Sequence, residues 1–270
     1  MTGADPATAA RFRAAYAIHR ASEGRKLDRR QLLAMPYLRS GPLAGQWTIR
    51  ARTFGTFVER VLTPLATRSA RPLRVLDLGA GNGWLCYRAA LAGCDATALD
   101  LRDDDVDGLG AARGYLDSTP VRFERIVGSF DALPIAPATY DVVVFNASLH
   151  YAVDLSLVLR EARRAARIGG RVVILDSPFY AREEHGEAMI AEKQRDGTDL
   201  FGARADDLLA IPFIEYLTHD RLVAASAGLG LAWHRRRVRY PLRYEARAAI
   251  AWLRRRRPPS RFDLWESIVP

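Results

Sequence analysis

Val75 to Leu85 reads VLDLGAGNGWL, an apolar, strand-like run that turns through glycines at 79, 81 and 83 and then resumes with residues a helix accommodates. A strand, a Gly-rich turn and a helix N-terminus open several nucleotide-binding folds, so the spacing has to choose among them. The dinucleotide pattern G-x-G-x-x-G needs a third glycine at position 84, where the chain has Trp84. A P-loop needs Gly-Lys-Ser/Thr after four free residues, and no lysine follows Gly79 or Gly81 at that spacing. What remains is D-x-G-x-G-x-G, with Asp77 two residues ahead of Gly79.

Working outward, strand-like and helix-like segments alternate with short connections. Strands are expected at Leu73 to Leu78, Asp95 to Asp100, Val121 to Val127, Tyr140 to Asn146 and Arg171 to Asp176. Helices are expected from Gly83 to Ala92, near Val106 to Leu116, and after Asp154, which caps an apolar face of Leu155, Val158, Leu159, Ala162 and Ala166 ended by Gly169-Gly170. Apolar strands alternating with helices imply a parallel sheet covered on both faces. About forty residues, Ser177 to Leu217, then interrupt the alternation with helix-like pieces and the aromatics Phe179, Tyr180, Phe201, Phe213 and Tyr216. Thr218 caps a short helix, Leu231 to Val238 reads as a sixth strand, and a helix at Tyr244 to Arg255 precedes a last strand near Phe262 to Val269. Before the sheet, residues 7 to 21 read as a helix, and Asp28 with Gln31 forms a capping-box pair for a second that stops before Pro36. GPLAGQWTIR reads as irregular, and Arg52 to Ala66 as a one-sided helix.

The turn at 77 to 83 resembles motif I of the class I methyltransferases that use S-adenosylmethionine (SAM). A second match follows the third strand, where VGSFDALPIAPATYDVVVFNASLHY resembles the small-molecule branch of that family, which includes the quinone-biosynthesis methyltransferases. The resemblance covers Leu73 to Asp176 firmly and Thr218 to Val238 loosely. It implies a seven-stranded, mostly parallel Rossmann-like sheet with helices on both faces and a late antiparallel strand. The first seventy residues and Ser177 to Leu217 carry no such match; they are expected to form an N-terminal helical extension over 1–70 and a lid insert at 177–217 within a SAM-binding domain over 71–270.

The resemblance also implies site residues. Asp77, Gly79, Ala80, Gly81 and Gly83 form the cofactor turn. Asp100, 23 residues after Asp77 and followed by Leu101, would accept hydrogen bonds from the ribose hydroxyls. Asp131 would accept one from the adenine amino group, with Phe130 or Ala132 bordering the ring and Asn146 near the methionine part. His150 after the fourth strand is open to two roles, positioning of the acceptor or general base, and Tyr151 is a candidate of the same kind. Arg50, beside Trp47, is a candidate partner for the cofactor carboxylate.

Composition bounds the alternatives. The apolar fraction is 49%, no run of eighteen apolar residues is present, and the N-terminus has no apolar core behind a basic start, so a cytoplasmic protein without a membrane span is expected. Cys86 and Cys94 are too few for a disulfide framework and no metal-ligand spacing occurs. Net charge is +9, and Lys26 and Lys193 leave 38 of the 40 basic residues as arginine. Clusters at His234 to Arg239 and Arg254 to Arg257 suit solvated element ends or a nucleic-acid surface. The expected function is methyl transfer from SAM to an O, N or C atom of a small-molecule acceptor. The alternatives are an RNA methyltransferase, disfavoured because NASLHY stands where base-amino enzymes carry Asn/Asp-Pro-Pro-Tyr/Phe, and a SAM-binding protein without transferase activity.

Overall fold

A computed structural model describes residues 5–270. Among them, seven strands form one sheet in the order β3-β2-β1-β4-β5-β7-β6, with β1 Arg74–Leu78, β2 Asp95–Asp100, β3 Glu124–Val127, β4 Tyr140–Asn146, β5 Ala166–Leu175, β6 His234–Arg236 and β7 Leu264–Ile268. β1 to β5 run parallel, and β7 enters antiparallel between β5 and β6. The chain leaves β1 to build one wing of the sheet and returns beside it as β4, so strand order reverses between β1 and β4. Open α/β sheets place ligands beyond the carboxyl ends of the strands at such a point.

The central strands bury residues on both faces, as a sheet covered twice requires. Val75, Ala96, Ala98, Val142 and Val144 belong to one buried cluster, and Leu76, Leu78, Val143, Phe145 and Ile174 to the other. The helix Leu155–Ala165 closes the second face with Val158, Leu159 and Ala162 wholly buried. Asp154 caps it by accepting the Leu157 N–H at 2.9 Å. Truncating Leu159 to Ala would cost about 2–5 kcal/mol.

The N-terminal elements are α1 Pro6–Ser22, α2 Arg29–Ala34 and α3 Ala44–Phe57, the last continuing through a π-helical turn at Val58–Leu62 and a final turn at Thr63–Ala66. The capping box at Asp28 and Gln31 is formed reciprocally. α2 and α3 share the first buried cluster with β1, whereas α1 packs its Phe12 and Ala15 on Leu208, Ile211 and Phe213 of the insert. The first four residues of the expected N-terminal extension lie outside the described residues.

Three expectations change. GPLAGQWTIR is helical from Ala44 on: Trp47 is 3% exposed and meets Trp84 edge-on at 5.9 Å, so packing overrides the weak helix propensity of its glycines. Gly169-Gly170 does not end the preceding helix, which stops at Ala165 where Ala166 turns extended; both glycines lie inside β5 within an irregularity of its pairing with β4, and a Cβ at Gly170 would stand 2.8 Å from the Arg167 carbonyl oxygen. The region 101–116 holds only a 3-10 turn at Leu109–Ala112 and one helical turn at Arg113–Leu116, because Asp100, Arg102 and Asp104 bond the loop backbone instead. The insert contains helices at Glu183–Arg195, Gly197–Phe201 and Ala205–Leu209. Among the described residues no helix is long and apolar enough to cross a membrane.

Candidate active site

The turn after β1 is tied to β2, since the Leu99 carbonyl accepts the N–H groups of Gly79 at 2.8 Å and Ala80 at 3.0 Å. Gly79 has φ +74°, and a Cβ there would fall 2.4 Å from the Ser148 Cβ. No side chain fits that position. Ser148 arrives from the end of β4 and donates its hydroxyl to the Leu78 carbonyl at 2.5 Å, closing the two strand ends together. Between Asn146 and Ser148, Ala147 holds φ +56°, an uncommon backbone state for a residue with a side chain. Gly81, φ +55°, points its N–H at Asp100 Oδ2 at 2.8 Å, and the other Asp100 oxygen accepts the Arg102 N–H at 2.9 Å.

These groups border a cleft of about 930 Å³ including its open mouth. Of the residues singled out in the sequence, Gly79, Ala80, Gly81, Asp100 and Leu101 line it from one side, and Phe130, Asn146, Tyr151 and Arg50 from the others. Asp77, Gly83, Asp131, Ala132 and His150 lie outside its lining. Asp77 sits behind the turn, 0% exposed. Gly83 caps the helix Trp84–Leu91, and a Cβ there would touch the Phe123 ring at 3.0 Å, so its position serves packing. Asp131 is buried and bonds the Ser129 hydroxyl, while Ala132 is exposed.

The cleft also contains residues that carry no local sequence signal. α1 contributes Phe12, Arg13, Tyr16 and Arg20, and the insert contributes Phe213. Arg20 forms an ion pair with Asp107 at 2.8 Å, across 87 residues of sequence, and bonds Glu23 at 3.1 Å. Asn82 holds the other Asp107 oxygen at 3.2 Å. The Tyr16 and Tyr151 hydroxyls meet at 2.9 Å, and the guanidinium of Arg102 lies 4.8 Å from the Tyr16 ring centre.

The electrostatics separate the candidates. Burial, with Asp100 nearby, pushes the Asp77 carboxyl well above its ordinary value, and neither of its oxygens has a hydrogen-bond partner. Burial likewise raises Asp100 against the pull of Arg102 and its two N–H bonds. Burial lowers Arg50, reinforced by Arg25 and opposed by Asp176. Among the described residues Arg50 has no carboxylate within ion-pair distance, and it rests 5.0 Å from the Trp47 ring centre. His150 is held down at about 3 by burial and by the cations Arg50, Lys193 and Arg20, so it is neutral and weakly basic near pH 7. Burial raises the Tyr151 phenol far enough to keep it protonated.

The residues present fit SAM. The glycine turn permits close approach of a ligand to the backbone, and Asn146 Oδ1 and Trp47 Nε1 are buried at the cleft with no partner. The buried carboxyl of Asp77, the Asp100 carboxyl at the cleft and the Arg50 guanidinium, which has no carboxylate partner among the described residues, match a cofactor with an ammonium, ribose hydroxyls and a carboxylate. Among the described residues no group of three or more His, Cys, Asp or Glu is placed to hold a metal.

Comparison with known proteins agrees. Residues 76–174 match a family described as a methyltransferase domain. The malonyl-[acyl-carrier protein] O-methyltransferase of Erwinia pyrifoliae is 36% identical over 109 residues, 39% of this chain and 38% of that one. The ubiquinone/menaquinone biosynthesis C-methyltransferase of Bradyrhizobium diazoefficiens is 30% identical over 112 residues, 40% of this chain and 44% of that one. In both pairings the match spans less than half of the relative. The fold is shared with the geranyl diphosphate C-methyltransferase of Streptomyces coelicolor, at a TM-score of 0.57 and 15% identity over 86% of this chain and 85% of that one. Residues 76–174 thus match a methyltransferase domain, on a Rossmann-like sheet, and are similar to class I, SAM-dependent enzymes of the small-molecule branch.

Proposed function

We propose that the protein transfers the methyl group of SAM to an O, N or C atom of a small-molecule acceptor. The observation that carries this reading is the single cleft at the carboxyl ends of β1, β2 and β4, in which the glycine turn, Asp100 and Asn146 face α1 and the insert. When bound, SAM supplies a methyl group already activated by its sulfonium. The chain's task is then alignment, which can be worth about 7–11 kcal/mol in effective-molarity terms. On this reading Asp100 holds the ribose hydroxyls, Gly79 to Gly81 admit the cofactor against the backbone, Phe130 borders the adenine and Arg50 pairs with the carboxylate. Asp77, behind the turn and without a hydrogen-bond partner among the described residues, biases the site toward the ammonium.

Phe12 and Tyr16 of α1, Phe213 of the insert and Tyr151 from the turn after β4 cover the opposite side, their rings 5.1–5.8 Å apart in successive edge and stacked contacts. An apolar cover of this kind supports a small acceptor. The relatives above are named for O-methylation of a malonyl-acyl-carrier protein and for C-methylation in quinone biosynthesis, which supports the same class. The weak basicity of His150 and its place outside the lining support positioning over proton abstraction. The arginine clusters lend little to an RNA reading: Arg235 is tied to Asp263, Arg236 to Glu266, and Arg257 to Glu192 at 2.8 Å. Incubation with methyl-labelled SAM and fractionated extract tests the proposal. Label in small molecules with release of S-adenosylhomocysteine is expected, whereas label in RNA, or none despite SAM binding, would favour the alternatives.

A further inference from the structure

Four guanidinium groups line the cleft, and two are already committed. Arg20 is paired with Asp107 and Glu23, and Arg102 with Asp104 at 2.9 Å. Arg50 and Arg13 remain, neither having a carboxylate partner among the described residues. If Arg50 takes the cofactor carboxylate, Arg13 is the surplus cation of the cleft. It stands on α1 next to Phe12 and one turn before Tyr16, and lines the cleft with both.

We infer that the acceptor is a flat, apolar-bodied oxygen acid that reacts as its anion and is selected by Arg13. This rests on the methyltransferase reading above. Charge supports it, because a sulfonium and a surplus guanidinium in one partly desolvated cleft favour an anion over a neutral or cationic acceptor. The hydroxyl pair supports it as well. Tyr16 and Tyr151 use one hydrogen between them at 2.9 Å, which leaves one phenolic hydrogen to donate to an acceptor oxygen. Proton inventory supports it a third time. Asp107 is consumed by Arg20 and Asn82, Tyr151 stays protonated and His150 lies outside the lining, so no free base faces the aromatic wall. An ionised oxygen needs none: its lone pair forms the O–C bond, the S–C bond breaks, the sulfur keeps the electron pair, and no proton moves.

The test is calorimetric titration of the protein loaded with S-adenosylhomocysteine, using benzoate and 2-naphthoate beside their neutral amides. The acids are expected to bind at least about tenfold more tightly than the amides. Arg13→Gln should erase that preference, and Arg13→Lys should retain part of it. Equal binding of acid and amide, binding of neither, or a preference that survives in Arg13→Gln would overturn the inference. Failure of S-adenosylhomocysteine itself to bind the wild-type chain is a separate result, and it would overturn the underlying cofactor reading instead.

Discussion

Asp141 and Asp77 stand near opposite ends of two neighbouring strands, β4 and β1, and both are sealed from solvent at 1% and 0% exposure. Burial alone would raise both. At the amino end, however, Asp141 accepts the Arg74 N–H at 2.8 Å, is joined by Arg167, and takes two bonds from Arg71 at 2.9 and 3.1 Å, which together hold it below its ordinary value. At the carboxyl end Asp77 has no partner and is pushed far up. The opposite shifts separate a carboxylate the fold has satisfied from one left without a hydrogen-bond partner among the described residues. Asp100 and Asp176, also at carboxyl ends, are raised by the same cause. One end of the sheet stores stability and the other end stores unmet electrostatic demand.

The contrast can be broken most forcefully at Asp141. Asp141→Ala should lower unfolding stability by about 3 kcal/mol, the low end for breaking a buried ion pair because Arg71 and Arg167 are half exposed. Urea denaturation reads this, and SAM affinity of the folded fraction should be unchanged. Asp100→Ala should do the reverse. Loss of charge-assisted bonds worth about 1.5–3 kcal/mol would weaken SAM roughly 10- to 100-fold with little loss of fold, and an unchanged dissociation constant in calorimetry would remove Asp100 from the cofactor site.

His150→Ala is expected to reduce turnover by less than about tenfold, with SAM affinity held within a few-fold. Because burial and neighbouring cations keep the imidazole neutral above about pH 3, the pH profile between 5 and 9 should not change. A hundredfold loss with a vanished acid limb would establish a base after all.

The subtlest comparison is in pH dependence. A raised folded pKa means that Asp77 stabilises the cofactor-free fold at low pH, a contribution lost as pH climbs from about its ordinary 3.8 through the folded value. The depressed Asp141 contributes above its unfolded value and loses that contribution as pH falls through its folded one. In the cofactor-free protein, Asp77→Asn should therefore flatten the decline toward neutral pH, and Asp141→Asn the decline toward acid. Parallel stability curves for the two variants would show that the two ends of the sheet do not differ.

Much of the cofactor side could be read directly from the sequence, because its determinants are local. The run Val75–Asp100 contains strand, glycine turn, helix and acid in one continuous βαβ unit, and β2 and β4 fall at the bounds expected. Caps at Asp28, Asp154 and Thr218 were equally visible, each being decided within three residues. The acceptor side was legible only as segments, the N-terminal extension and the lid insert. That Arg20 meets Asp107 and that Arg13 is left over depend on contacts between distant segments.

The sequence by itself determined the alternation of strands and helices and the D-x-G-x-G-x-G turn, since periodicity, caps and glycine φ preference act over a few residues. Only the tertiary structure decided why Gly79 must be glycine, because Ser148, held to the Leu78 carbonyl across 70 residues of sequence, stands against it. Only packing made a helix of Ala44 to Arg50, against its own glycine, by burying Trp47 on Trp84. And which carboxylates are satisfied was decided there too, because desolvation and ion pairing depend on what three-dimensional neighbours supply and not on the residue's place in the chain.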